Sequence, residues 1–283
     1  MRCGVAPRLP SPISLNDLAT SMSSVTVSLA DAEIAVHLNG PSEARCTLLC
    51  VHGWTLDHRA FDRQLTLADA GVRLATFDRR GFGRSGLEPD LEREVDDLAR
   101  IARALPGPVL GYGVSQGARL LLRLAATAPN AVAGILVQGG VVDGLSVDAE
   151  EVPFEHFADL LRQGQMARFL EEWLAHPLMS GGVSSADASL IRQLVEQYSG
   201  VDLIRGACRP VASDLRTALG ALSLPLAVID ADLEVASRKV HSQFLIEECG
   251  AVSIPVPGGH LCNVTHAEEF NNQILRWIDS LTH

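Results

Sequence analysis

The apolar positions of the chain fall into short runs that alternate with amphipathic stretches. Six runs are almost continuously apolar, which is typical of strands buried on both faces of a parallel sheet: 47–51, 72–77, 108–112, 135–137, 225–229 and 251–256. Segments with apolar residues at helical spacing lie between or after them: 59–70, 92–105, 116–127, 238–248 and 267–281. Two alternating segments, 25–29 and 33–38, come first and predict an edge hairpin. The pattern therefore predicts an α/β fold with a mainly parallel sheet flanked by helices.

The alternation stops in one long segment, residues 141–224. Its pattern contains no apolar strand and predicts only helices, with Gly and Pro at their ends: 154–163, 166–175, 186–198 and 211–222. The segment follows the sixth strand of the predicted order. We therefore expect a helical cap at 141–224, inserted into a core formed by residues 25–140 and 225–283. Most apolar cap positions should pack the cap itself, while Trp173 and Phe157 are candidates to face a cleft.

Residues 1–24 precede this pattern and contain three prolines and several serines without an apolar core. We interpret them as a disordered extension rather than a secretion signal, with Met22 as an alternative first residue. The sequence has no apolar stretch of the length that spans a membrane. A cytoplasmic protein without membrane association is the expectation.

The charge and the cysteines exclude several classes of function. The 283 residues include 23 Lys and Arg against 34 Asp and Glu, a net charge of −11, which disfavours binding to nucleic-acid phosphates. The six cysteines show no CxxC spacing, so the sequence predicts neither a metal site nor a disulfide framework. We expect no cofactor, and a chain that acts alone or as a homodimer.

Ser115 lies between the strand predicted at 108–112 and the helix predicted at 116–127, in the sequence Gly-Val-Ser-Gln-Gly. A serine on so sharp a turn needs small neighbours, because larger side chains would clash with the crossing backbone. The helix start would then offer free N–H groups to an oxyanion. Ser115 is therefore the candidate nucleophile.

His260 is the candidate base for this serine. A serine nucleophile requires a neighbouring base, normally a histidine held by a carboxylate. In an open parallel sheet, functional groups collect beyond the carboxyl ends of the strands. His260 follows the last predicted strand in a glycine-flanked loop, from which its imidazole could reach back over Ser115.

Four motifs together resemble the α/β-hydrolase superfamily, over about residue 25 to the end of the chain. They are His52-Gly53, Asp78-x-Arg80-Gly81-x-Gly83-x-Ser85, the Ser115 motif at 113–117, and Gly259-His260. The resemblance implies a nucleophile at Ser115, a base at His260 and an acid between them in the chain. It also implies an oxyanion hole from the backbone N–H groups of Gln116 and Trp54. The arginines of 78–85 are expected to brace loops.

The acid departs from the superfamily's usual pattern, which is Gly-x-x-Asp after the strand that follows the cap. Here Ala231-Asp232-Leu233-Glu234 occupies that place, so a glutamate stands where the aspartate is expected. Glu234 is our first choice for the acid. Asp232, if the turn is shifted, and Asp143, after the preceding strand, are the alternatives.

The resemblance implies a serine hydrolase that acts through an acyl-enzyme. The expected substrate is an ester or lactone of a small to medium apolar acyl compound. A C–C bond hydrolase and a cofactor-free perhydrolase or dioxygenase on the same fold are the alternatives. A hydrolase-fold ligand receptor without catalysis is a further one.

Overall fold

The computed structural model describes residues 21–147, 152–209 and 211–281, and in these residues eight strands form one sheet. The strands are β1 (Ser21–Ser28), β2 (Glu33–Gly40), β3 (Cys46–Val51), β4 (Val72–Phe77), β5 (Val109–Val114), β6 (Gly134–Gln138), β7 (Leu226–Ala231) and β8 (Val252–Val256). Their order in the sheet is β1-β2-β4-β3-β5-β6-β7-β8. The pairs from β4 to β8 are parallel, which confirms the predicted mainly parallel sheet.

The described α-helices are α1 (Arg93–Ala104), α2 (Gln116–Thr127), α3 (Phe154–Arg162), α4 (Met166–Ala175), α5 (Pro177–Ser180), α6 (Ser185–Val195), α7 (Val201–Ile204), α8 (Arg216–Gly220), α9 (Ala236–Cys249), α10 (Cys262–Thr265) and α11 (Ala267–Ser280). The helix predicted at 59–70 is a 3-10 helix, His58–Ala70, and a short one spans Pro129–Ala131. None of the helices in the described ranges is both long and apolar enough to cross a bilayer.

The edge hairpin extends further toward the N-terminus than the sequence predicts. Residues 21–24 were assigned to the disordered extension, but they belong to β1 and pair antiparallel with residues 37–40 of β2. Backbone pairing needs no apolar side chains, which is why the serines at these positions hid the strand. The rest of the expected extension, 1–20, lies outside the described residues.

Side chains that alternate along the strands supply two apolar clusters, one on each face of the sheet. In β3, Leu48 and Cys50 belong to one cluster, while Leu49 and Val51 belong to the other. This follows from the two-residue period of a strand. The first cluster continues without interruption into residues between β6 and β7, among them Trp173. That segment is therefore packed onto one face of the sheet.

The described part of 141–224 is helical and contains no strand, as the pattern predicts. Two of its helices, α5 and α7, are single turns that the pattern did not predict. The helix predicted at 211–222 is shorter and spans only α8, which contacts α2 and α9. Leu219 of α8 lies in the apolar cluster on the opposite face of the sheet from Trp173. The last part of 141–224 thus packs with the core helices α2 and α9, on the face of the sheet opposite the cluster that contains Trp173.

Candidate active site

Ser115 stands between β5 and α2 on a turn that only its neighbouring glycines permit. Its φ of 55° is in the left-handed region, which a non-glycine residue adopts only where the surroundings impose it. A Cβ on Gly117 would lie 2.1 Å from the Val51 carbonyl oxygen. A Cβ on Gly113 would lie 2.6 Å from the Gly117 carbonyl oxygen. The strand and helix can approach this closely only because both positions lack a side chain.

His260 and Glu234 form a buried hydrogen-bonded pair. The distance from His260 Nδ1 to Glu234 Oε2 is 2.7 Å, and the two side chains are only 3% and 4% exposed. The other carboxylate oxygen accepts the Val235 N–H at 2.8 Å. Burial raises the pKa of Glu234, but the imidazole beside it and the Val235 N–H outweigh burial and lower the pKa overall. The carboxylate therefore remains ionised beside the ring.

The end of β6 and the loop after it pack against His260 and Glu234. Gly139 has a φ of 59°, and a Cβ there would lie 2.3 Å from His260 Cε1 and 2.7 Å from Glu234 Oε2. The preceding Gln138 donates from Nε2 to the His260 carbonyl oxygen at 2.8 Å. Its Oε1 accepts the Tyr112 hydroxyl at 2.6 Å. The end of β6 thus holds the His260 loop and leaves no room for a larger residue at 139.

The two alternative acids are engaged elsewhere. Asp143 is buried and paired with Arg119 at 2.5 Å, and it also accepts the Ser213 hydroxyl at 2.9 Å. Asp232 accepts the Gly258 N–H at 2.7 Å and stabilises the turn after β8. Of the three candidates, Glu234 is the one bonded to His260.

His52 holds the loop that carries Trp54. His52 Nε2 accepts the Arg79 N–H at 3.0 Å, so Nδ1 is the nitrogen that donates to the Gly53 carbonyl oxygen at 2.9 Å. Burial, and secondarily the charge of Arg79, lower the pKa of His52 to about 3. The ring is therefore neutral, as this pair of bonds requires. The Arg79 guanidinium also donates to the His52 carbonyl oxygen at 3.0 Å and is paired with Glu94.

Gln116 is the first residue of α2, where backbone N–H groups have no acceptor within the helix. Its side chain is held at both ends. Oε1 accepts from Arg79 at 2.9 Å, and Nε2 donates to the Cys208 carbonyl oxygen at 3.0 Å. These two hydrogen bonds keep the side-chain oxygen of Gln116 from accepting the backbone N–H of the same residue. Arg79 thus contacts the Gln116 side chain directly and holds the Trp54 loop through His52, which agrees with the structural role expected for this motif.

Trp54 joins the helical segment to the site. Its indole N–H lies 2.9 Å from Asp202 Oδ2 and 3.1 Å from the Tyr198 hydroxyl, which itself donates to Asp202 at 2.6 Å. Beside it, the Trp173 indole donates to Thr55 Oγ1 at 2.9 Å. Trp54 both packs in the buried cluster and lines the cleft. The geometry of the 53–55 loop therefore depends on the helical segment.

Ser115 and His260 open into one cleft, and the space within it that a ligand can fill is about 120 Å³. This is below the usual volume of drug-sized sites, so the cleft suits a small substrate. The apolar lining includes Trp54, Leu56, Val141, Val152, Phe154, Trp173, Leu178, Met179 and Leu261. Phe157, the other expected cleft residue, instead packs behind Trp54 and Trp173 in the buried cluster.

Three arginines, at 119, 209 and 238, also line this cleft, and sequence reasoning missed them. They come from α2, from the chain after α7 and from α9. Nothing in their local sequence marks them, because only folding brings these three segments together.

Asp57, His58 and Asp78 form the one group in the described ranges whose donor atoms lie close enough for a metal ion. Asp78 Oδ1 already accepts the His58 N–H at 2.9 Å and lies 2.7 Å from the His58 ring. Its Oδ2 accepts the Arg84 N–H at 2.8 Å, and Asp57 pairs with Arg59 at 2.7 Å. These oxygens are committed to protein donors, so the arrangement fits an internal ion pair better than a metal site.

The sequence profile of the alpha/beta hydrolase family matches residues 48–273. Two relatives match most of the chain. A pimeloyl-[acyl-carrier protein] methyl ester esterase of Yersinia pseudotuberculosis is 26% identical over 246 residues, covering 84% of this chain and 95% of the relative. The 3-oxoadipate enol-lactonase 1 of Acinetobacter baylyi is 22% identical over 254 residues, covering 84% of this chain and 90% of the relative.

A solved structure of a bromoperoxidase from Bacillus anthracis shares the fold. It superposes with a TM-score of 0.74 at 23% identity, covering 91% of this chain and 100% of that one. This likeness concerns the arrangement of strands and helices, which agrees with the sheet order given above.

Proposed function

The chain belongs to the alpha/beta hydrolase family, and on that premise we propose that it cleaves its substrate through an acyl-enzyme on Ser115. The protein is a carboxylic-ester hydrolase. The observation that carries the acyl-enzyme proposal is the buried bond from His260 to Glu234, at 2.7 Å, in the same cleft as a serine held at a left-handed turn.

In the proposed reaction, Ser115 Oγ attacks the carbonyl carbon while its proton passes to His260 Nε2. Glu234 keeps the other ring proton on Nδ1 and stabilises the imidazolium. The oxyanion accepts hydrogen bonds from the Gln116 and Trp54 N–H groups. His260 then protonates the leaving alkoxide as the C–O bond breaks. A water molecule, activated by the same imidazole, releases the acid from Ser115.

The lining of the cleft favours a substrate that is an ester or lactone with a small to medium acyl part. Most of its lining is apolar, which favours a hydrocarbon chain next to the reacting carbonyl. The names of the two relatives, a methyl ester esterase and an enol-lactonase, are consistent with either kind of bond. The helices that Trp173 and Phe154 belong to supply one wall, so we assign 141–209 the role of a cap that selects substrates.

The test is a panel of p-nitrophenyl esters of rising chain length together with lactones, assayed with wild type and Ser115→Ala. We expect the substitution to reduce kcat by several orders of magnitude without unfolding the protein, since triad residues act as a unit. A fluorophosphonate probe should label wild type and not the variant.

Near-normal turnover by pure Ser115→Ala would refute the acyl-enzyme. Oxygen uptake without hydrolytic product would favour a dioxygenase. Cleavage of a C–C substrate in preference to every ester would favour a C–C hydrolase. Failure of the wild-type protein to react with the probe would favour a ligand receptor.

A further inference from the structure

The arginines and acids of this acidic chain are distributed unevenly around the cleft. Acidic residues outnumber basic ones by 34 to 23 in the sequence. Nevertheless, three arginines line the cleft, and no aspartate or glutamate is among the described residues that line it. Guanidinium groups concentrated in a low-dielectric cleft attract anions and repel cations.

Two of these arginines, Arg119 and Arg238, line the cleft together with Val141. Next to Val141, the Val142 N–H donates to His241 Nδ1 at 3.2 Å. Burial, then Arg238 and Arg119, lower the pKa of His241 to about 4, and Asp143 opposes them in part.

Arg119 lies one helical turn after Ser115, and its N–H donates to the Ser115 carbonyl oxygen at 3.0 Å. Its guanidinium is held by Asp143, which also approaches Arg123 at 3.4 Å. Arg123 is paired in addition with Glu92, at 2.7 Å. Asp143 therefore offsets the charge of Arg119 and holds its guanidinium in place.

Arg209 belongs to the solvent-exposed part of the cleft. Its guanidinium carbon lies 5.2 Å from the centre of the Phe154 ring, and its side chain is 54% exposed. It forms an ion pair with Glu155 at 3.4 Å, and because both side chains are exposed this pair contributes little. Stacking on Phe154 orients a group that stays accessible to an incoming anion.

From this arrangement we propose that the cleft selects esters or lactones that carry a carboxylate, bound by Arg238 and Arg209 while the carbonyl lies at Ser115. The proposal rests on the function proposed above and specifies its substrate class. The planar guanidinium forms two parallel hydrogen bonds with a carboxylate, a geometry that a neutral ester cannot reproduce. The apolar residues that also line the cleft suit a short methylene chain. Arg119 is held by Asp143, and the proposal assigns it no bond to the substrate.

The experiment compares monomethyl esters of linear dicarboxylic acids, of four to eight carbons, with the dimethyl esters of the same acids. The two series differ only in one charged terminus. We expect kcat/KM to favour the half-ester at the chain length that spans from Ser115 to the arginines. In Arg238→Gln and Arg209→Gln, the ratio of half-ester to diester kcat/KM should fall by about 10- to 100-fold, the range for a hydrogen bond to a charged group. The fall should be seen mainly in KM and should weaken in high salt.

Arg162→Gln is the matched control, since Arg162 is another cap arginine, paired with Asp159 at 2.7 Å and not part of the cleft lining. Its ratio should equal that of wild type. A free dicarboxylate should inhibit wild type competitively, and the corresponding diamide should not.

The two proposals fail in different ways. If Ser115 labels with fluorophosphonate and diesters are cleaved faster than half-esters at every length, the carboxylate proposal is overturned and the hydrolase proposal stands. An equal change of the ratio in Arg162→Gln and Arg238→Gln would also overturn it, because the effect would then come from net charge alone. If no ester of either series is cleaved and no label is taken up, the function itself is refuted.

Discussion

Replacing Glu234 by glutamine tests the site at the hydrogen bond that defines it. The two carboxylate oxygens have different partners: Oε1 accepts the Val235 N–H at 2.8 Å and Oε2 faces His260 Nδ1 at 2.7 Å. In the variant, the amide oxygen must stay on the Val235 N–H, because the amide NH₂ cannot accept it. The NH₂ group then points at His260 Nδ1.

A donor facing Nδ1 forces that nitrogen to become the acceptor, so the ring proton moves to Nε2. The proton is then on the nitrogen that must receive the Ser115 proton, and the ring can no longer act as a base. The variant also loses the charge that stabilises the imidazolium. For the corresponding carboxylate-to-amide change in a serine protease triad, kcat falls on the order of 10⁴-fold, which is about 5.4 kcal/mol in activation free energy. We expect a loss of that size.

Steady-state hydrolysis of the best ester found for wild type measures the effect, with circular dichroism to verify folding. The matched control is Asp232→Asn, since an asparagine oxygen can still accept the Gly258 N–H, and it should stay within a few-fold of wild type. If folded Glu234→Gln keeps more than about a tenth of wild-type kcat, the tautomer argument is wrong.

Two further predictions concern Gly139, which lies against His260, and His58, which contacts Asp78. Gly139→Ala would put a Cβ 2.3 Å from His260 Cε1, so we expect kcat/KM to fall by about 100-fold or more; Gly71→Ala, at a φ of 77° with nothing within 4 Å, controls for backbone strain, and an equal loss of activity there would contradict the contact argument. The hydrogen bond to Asp78, opposed in part by burial, raises the pKa of His58, so its stabilising effect should be complete below the unfolded value of about 6.5 and disappear as pH rises through the raised pKa. Urea unfolding of wild type and His58→Gln at several pH values should show this difference shrinking toward alkaline pH, and a difference that instead grows with pH would contradict the assignment.

The amino-acid sequence determined the order of strands and helices along the chain and the turn that carries Ser115, the proposed nucleophile. Runs such as 47–51 and 72–77 are mostly apolar because both faces of those strands are covered, and every position in them is buried. The turn at Ser115 is likewise local, since Gly113 and Gly117 are needed within two residues of it. His260 could be proposed as the base because its loop follows the last strand and so lies at the same edge of the sheet as Ser115.

The pattern of apolar positions did not predict the single-turn helices or the first residues of β1. Helices α5 and α7 are too short for a helical period to emerge from their sequences. The first residues of β1 are polar serines that are paired only through their backbone with β2. These residues form a strand because their backbone bonds to β2, which their polar side chains do not indicate.

Only the tertiary structure decided which carboxylate meets His260 and what charge the cleft has. Asp143, Asp232 and Glu234 all follow strands on the same side of the sheet, so position alone could not rank them conclusively. Arg119 of α2 engages Asp143, the Gly258 N–H engages Asp232, and Glu234 is left within 2.7 Å of the imidazole. The three cleft arginines come from α2, from the chain after α7 and from α9. Residues so far apart in sequence can share a cleft only through the packing of helices onto the sheet, and no local pattern encodes that packing.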